Sequence, residues 1–158
     1  AIMLDYESIP LHWVNRLGFL IRKKLGVLFD KAGHTVSPEE WAILLVLWQK
    51  GPQSPSALAD VTFKDRTTVT RLIDAMVLKK LVTRTEDALD RRRSVVALSA
   101  RGEALEAELV PLSQSLIAQA LVGISPEDIE TTTRTLKAMV ENLSAAQQSA
   151  FSKKDANR

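Results

Sequence analysis

Two clusters in this sequence have side chains suited to chemistry on an anion. The first is Arg91-Arg92-Arg93, at the end of a polar stretch, Asp87–Arg93, between two short β-branched segments. The second is Arg66-Thr67-Thr68, with Thr70-Arg71 one residue further on. A guanidinium is always charged and presents a rigid fork of donors, which suits phosphate and the edge of guanine. Threonine adds a hydroxyl and a methyl that can meet the thymine methyl. Both clusters therefore suit a polyanion whose base edges can be read, which is a DNA duplex. Charge distribution points the same way. Residues 64–101 carry ten Lys and Arg against five Asp and Glu, a surplus of five in a chain whose net charge is +2, so the remainder is acidic. A basic block in an acidic chain is the footprint of a polyanion-binding surface. The competing reading is a solvated face with chance clustering.

Other chemistries lack their residues. There is no cysteine, which removes disulfides, thiolate metal sites and thiol-based redox sensing. His12 and His34 are too few and too far apart for a zinc site. No Gly-rich phosphate loop, nucleophile motif or carboxylate cluster is visible, so no enzyme, cofactor or metal is expected. At 158 residues and 46% hydrophobic, the chain is long enough for one domain with a real core. No apolar run of 18 residues suggests a membrane span, and no secretory signal is visible. The expectation is a cytoplasmic protein.

The elements that must position the arginines can be read from periodicity. Leu11, Val14, Leu17, Ile21, Leu25 and Leu28 recur at spacings of three and four, which predicts a helix over 8–32 stopped by Gly33. Ser37-Pro38-Glu39-Glu40 is a helix start with a capping box, and Gly51-Pro52 ends that helix. A short helix over 54–62 follows, capped by Ser54 or Ser56. Asp65 then caps a helix over 66–80, whose apolar stripe is Val69, Leu72, Ile73, Met76 and Val77. Thr67, Thr70, Arg71 and Asp74 fall opposite. Residues 81–86 and 94–98 read as strands, with the arginine tip between them. Residues 100–121 return to helix, bent at Pro111, and Gly123 breaks it. Ser125-Pro126 opens a last helix that frays from about residue 149.

The fold class is thus mainly α with a small β-hairpin wing: a winged helix-turn-helix over 36–99, flanked by helical regions 1–35 and 100–158. The flanking stripes are long and leucine-rich, more than a module of about sixty residues can cover. Packing against a second copy is the natural solution, giving a homodimer; the other is a monomeric helical cap. Arg66, Thr67, Thr68, Thr70 and Arg71 then form the groove-reading surface. Of Arg91, Arg92 and Arg93, one enters the minor groove and one meets phosphate, while Arg93 is equally read as a surface ion pair. Asp90 orients one of these arginines by a charge-assisted bond. Ser54 and Ser56 bind phosphate or only cap their helix.

From the 66–80 helix through the wing, the sequence resembles the MarR family of regulators. The match runs through Thr67-Thr68-Val69-Thr70-Arg71-Leu72-Ile73-Asp74 and Lys79-Lys80-Leu81-Val82-Thr83-Arg84. It continues in Asp90-x-Arg92, then Leu98-Ser99 and Gly102. The resemblance implies a triangular homodimer with interleaved terminal helices, a near-palindromic operator and, usually, repression. It makes Arg92 the wing arginine and Asp90 its partner. Lys80 departs from the family's usual glycine, and Ser99 from its threonine. Members often release DNA on binding a small aromatic acid. His12, Trp13, Arg16 and Trp41 are the positions here that would build such a site, the arginine pairing a carboxylate and the indoles stacking on a ring. Alternatively, both tryptophans are packing residues and Arg16 a surface charge. A winged-helix module that contacts protein instead of DNA is the other functional reading.

Overall fold

The computed structural model describes residues 4–86, 89–90 and 93–156, with backbone alone from residue 146 on. Among these, the chain orders as α1 (Pro10–Lys31), α2 (Pro38–Lys50), α3 (Pro55–Thr62), α4 (Arg66–Leu78), β1 (Val82–Thr85), β2 (Val95–Leu98), α5 (Ala100–Ala120) and α6 (Pro126–Ala156). A single 3-10 turn, Tyr6–Ser8, precedes α1. None of these helices is long and apolar enough to cross a membrane. Two compact units are present, Ala1–Leu116 and Ile117–Arg158.

In the first unit, the core gathers apolar residues from every element. Phe29 of α1 and Ile43, Leu44 and Leu47 of α2 meet Leu58 of α3 and Val69, Ile73 and Met76 of α4. Val82 and Val96 of the hairpin and Leu105 and Leu109 of α5 complete it. Burying each such side chain is worth about 1.5–3 kcal/mol, so α1 and α5 are held to the module by real burial. β1 and β2 pair antiparallel, Val82 opposite Leu98 and Thr85 opposite Val95. Gln53, between α2 and α3, adds a bridge to β2: its N–H donates to the Val96 carbonyl at 3.0 Å and its carbonyl accepts from Val96 at 2.8 Å. Nothing in the sequence around Gln53 signals this third strand-like contact.

The helix starts follow their sequence grammar. Ser37 Oγ accepts from the Glu40 N–H at 3.1 Å, and Glu40 Oε1 accepts from the Ser37 N–H at 2.9 Å, a closed capping box. Ser125 Oγ accepts from Asp128 at the start of α6. The helix ends differ more from expectation. α1 begins at Pro10 rather than residue 8, since proline suits the first helical turn. α4 ends at Leu78 rather than 80 because Lys80 turns left-handed, with φ of 61°. Its closing bonds, Leu81 N–H to the Met76 carbonyl and Lys80 N–H to that of Val77, are a Schellman motif. Phe63 closes α3 in the same way with φ of 54°, which no glycine announced. α5 runs on through Pro111, and α6 extends to Ala156, past the fraying expected near 149, with no glycine or proline to stop it.

A left-handed backbone costs a β-carbon-bearing residue on the order of 1 kcal/mol relative to glycine. Lys80→Gly is therefore expected to raise stability by about 1 kcal/mol, read as a higher urea midpoint at unchanged slope. An equal or lower midpoint would mean that the lysine side chain offsets the strain.

In the second unit, Gly123 turns left-handed at φ of 78° and separates α5 from α6. Ile129, Leu136 and Met139 of α6 are half-buried, while Val140 and Leu143 are exposed.

Candidate nucleic-acid interface

Helix α4 is held by its apolar side. Val69, Ile73 and Met76 are fully buried, and successive helical residues turn by about 100°. That spacing puts Thr67 and Arg71 on the side away from the core and Thr70 on its flank, while Arg66, three residues before Val69, follows the core stripe but stands at the first helical position. Arg66, Thr67 and Arg71 are exposed and Thr70 is half-buried. At the helix N-terminus, Asp65 Oδ1 accepts from the Thr68 N–H at 2.7 Å, and Oδ2 accepts from the Thr68 hydroxyl at 2.9 Å. The Thr68 backbone N–H, then its hydroxyl, hold the Asp65 carboxyl below its ordinary value, and the Arg71 charge adds to this. Asp65 is thus firmly ionised at neutral pH. Thr68 differs from the sequence reading in one respect: its hydroxyl already serves the cap. It is half-buried, one turn before half-buried Leu72.

Ser54 caps α3, its Oγ accepting from the Ala57 N–H at 3.1 Å, while Ser56 is exposed in the first turn. The wing is tied to α4 by Arg84 of β1, whose Nη1 lies 3.6 Å from Asp74 Oδ1. Arg93 is exposed, and its N–H donates to the Asp90 carbonyl at 3.0 Å. Arg91 and Arg92 lie outside the described residues.

The residues read as an effector site divide. Trp13 is 53% exposed, and its indole N–H donates to the Glu7 carbonyl at 2.8 Å. His12 sits between Tyr6 and Trp13, ring centroids 5.0 and 5.2 Å away. Trp13 and Arg16 line an open depression of about 600 Å³ with Leu17, Phe19, Leu20 and Lys23. Trp41 is elsewhere. It is buried in the core, between Phe29 at 5.3 Å and Trp48 at 5.6 Å. The described residues of one chain therefore do not bring both indoles to one ligand. Residue type alone offers no means of separating a core tryptophan from an exposed one.

Helix, turn, helix and hairpin in this order are a winged helix-turn-helix, and residues 34–93 match the family model described as MarR family. Over that segment the chain matches the MarR family. The chain is similar to the HTH-type transcriptional regulator MhqR of Bacillus subtilis, 27% identical over 104 residues, covering 66% of this chain and 72% of MhqR. Among solved structures it resembles BpsR of Bordetella bronchiseptica, at TM-score 0.76 and 21% identity over 88% of this chain and 98% of that one. A MarR-family regulator from Silicibacter pomeroyi superposes at TM-score 0.73 and 24% identity, covering 87% and 91%. These two likenesses speak for the fold. The family match and the likeness to MhqR support a DNA-binding transcriptional regulator.

Proposed function

We propose that the chain is a sequence-specific repressor that binds a near-palindromic operator as a homodimer and releases it on binding a small aromatic acid. The observation that carries this is the N-terminal half of α4: two arginines and two threonines, three of the four exposed, at a capped N-terminus, backed by the buried Val69, Ile73 and Met76. An α-helix fits the major groove and reads bases from such an N-terminal half. In this reading Arg66, Thr67, Thr70 and Arg71 contact bases, with Thr68 at the edge. Ser54 and Ser56 lie by phosphate, Arg91–Arg93 reach the adjacent minor groove and backbone, and Asp90 orients the wing.

Dimerisation is supported by α1. Trp13, Leu17 and Leu20 are about half exposed, Phe19 is 67% exposed, and the four line one depression. Contiguous apolar surface of this kind marks an interaction site. The regions before residue 36 and after 99 are the proposed dimerisation helices, and a sedimentation profile of a strict monomer at micromolar concentration would count against them. For the effector, Trp13 and Arg16 offer a ring-stacking surface and a carboxylate partner. Support comes from BpsR, whose DNA binding is described as regulated by 6-hydroxynicotinic acid.

The test is selection of bound duplexes from a random pool, repeated with 6-hydroxynicotinic acid present. A shared two-fold-related sequence is expected, with less recovered when the acid is added. Arg71→Ala is expected to relax preference at one base pair per half-site, by about 1–3 kcal/mol of discrimination. If no shared sequence emerges, the module that contacts protein becomes the better reading.

A further inference from the structure

The N-terminal half of α4 says what is read; the other end of the helix holds an arrangement that the DNA contacts do not use. Lys79 stands at the C-terminus of α4, about 20 Å along the helix from Arg66 at 1.5 Å per residue. Its Nζ donates to Glu40 Oε1 at 2.7 Å and to the Thr35 carbonyl at 2.6 Å. Glu40 is buried, its side chain 3% exposed, whereas that of Lys79 is 35% exposed. The same Glu40 Oε1 closes the capping box of α2, and Oε2 has no hydrogen-bond partner among the described residues.

This arrangement is more than the cap requires. Glutamine at the third helical position closes a capping box as well as glutamate does. A buried carboxylate with an unsatisfied oxygen is costly, and ion pairs of this kind often contribute little net stability. What the pair does supply is a fixed point. It joins the end of the reading helix to the start of α2, at the residue before Lys80 turns the chain sharply into β1. Base edges are read only when the reading side chains are placed to within about half an ångström. Phosphate contacts position the protein but carry no sequence information directly, and they make up nearly all non-specific binding.

We propose that Lys79 and Glu40 are positioning residues that fix the seat of α4 and so set sequence discrimination without touching DNA. This rests on the DNA-reading function proposed above. The experiment compares affinity for the selected duplex with affinity for a scrambled one, across salt concentrations, using the full chain. Glu40→Gln/Lys79→Met removes both charges while keeping the cap. Its specific-to-non-specific ratio is expected to fall about tenfold or more, with scrambled-duplex affinity and salt slope unchanged, because no phosphate contact is lost. Lys79→Arg, which keeps the charge pair, is expected to stay within about threefold of wild type. A folded double variant with the wild-type ratio overturns the inference. Should the double variant not fold, Glu40→Gln alone is expected to lower the ratio several-fold, and a wild-type ratio in that variant overturns the inference equally. A wild-type chain that selects no duplex sinks the DNA reading and this inference together, whereas a selective wild type with an equally selective variant sinks the inference only.

Discussion

Gly102→Ala is expected to lower the melting temperature by roughly 10 °C, an effect opposite in sign to the usual one. Alanine in a helix interior normally stabilises by about 0.5–1 kcal/mol over glycine. Here a β-carbon on Gly102 would stand 2.1 Å from the Leu81 carbonyl oxygen and 3.2 Å from Leu98 Cδ2. The first neighbour is backbone and cannot rotate away. That backbone is also committed, since the Leu81 carbonyl accepts from the Ser99 N–H at 3.0 Å. Ser99 Oγ in turn donates to the Lys80 carbonyl at 2.6 Å and accepts from the Gly102 N–H at 3.0 Å. Trp48 of α2 donates its indole N–H to the Gly102 carbonyl at 3.0 Å. The base of the wing, the start of α5 and α2 thus meet at one residue. Overpacking typically costs about 1–3 kcal/mol and more where the obstacle is rigid. At roughly 2–4 °C per kcal/mol for a chain of this size, the upper end gives the stated shift. Calorimetry showing an unchanged or raised melting temperature would mean that α5 and the wing can part freely at this point.

Arg92→Ala is expected to weaken binding to the selected duplex by tenfold or more near 0.15 M salt. Thr85 and Val95 are the last paired residues of the hairpin, and Arg92 falls between them in the sequence. An arginine inserted in a narrow minor groove gains from its enhanced negative potential, and losing one specific arginine contact costs about 1–3 kcal/mol. The salt dependence separates two roles. A phosphate-bound arginine shortens the slope of log affinity against log salt by about 0.9 when removed. A minor-groove arginine lowers affinity more on selected than on scrambled duplex. Competition binding with both duplexes reads the two together. Equal affinity of variant and wild type for the selected duplex at that salt would remove the wing from the interface.

Much of the fold is legible because local rules suffice for it. The Ser37–Glu40 capping box and the Asp65 cap are encoded by residues within a few positions of one another and form where their spacing places them, whereas of the expected α4 stripe Val69, Ile73 and Met76 are buried, Leu72 is half-buried and Val77 is exposed. The left-handed turn at Lys80 is legible only through the family pattern, since lysine itself gives no sign of it. At Phe63 even that signal is missing: the turn follows from how α3 must end to let α4 cross it. Thr68 shows the same limit within the candidate site. Its type suits base reading, but the cap claims its hydroxyl.

The sequence by itself determined the order of elements, the arginines and threonines at the start of α4 and the lack of thiol chemistry, because periodicity, capping and charge are properties of neighbours along the chain. Only the tertiary structure decided that Trp41 is core while Trp13 is exposed, that Gln53 pairs with β2, that Gly102 has no room for a methyl group, and that Lys79 reaches Glu40. Each of these depends on which distant segments pack together, and burial or a clash between residues 20–50 positions apart leaves no mark on local spacing.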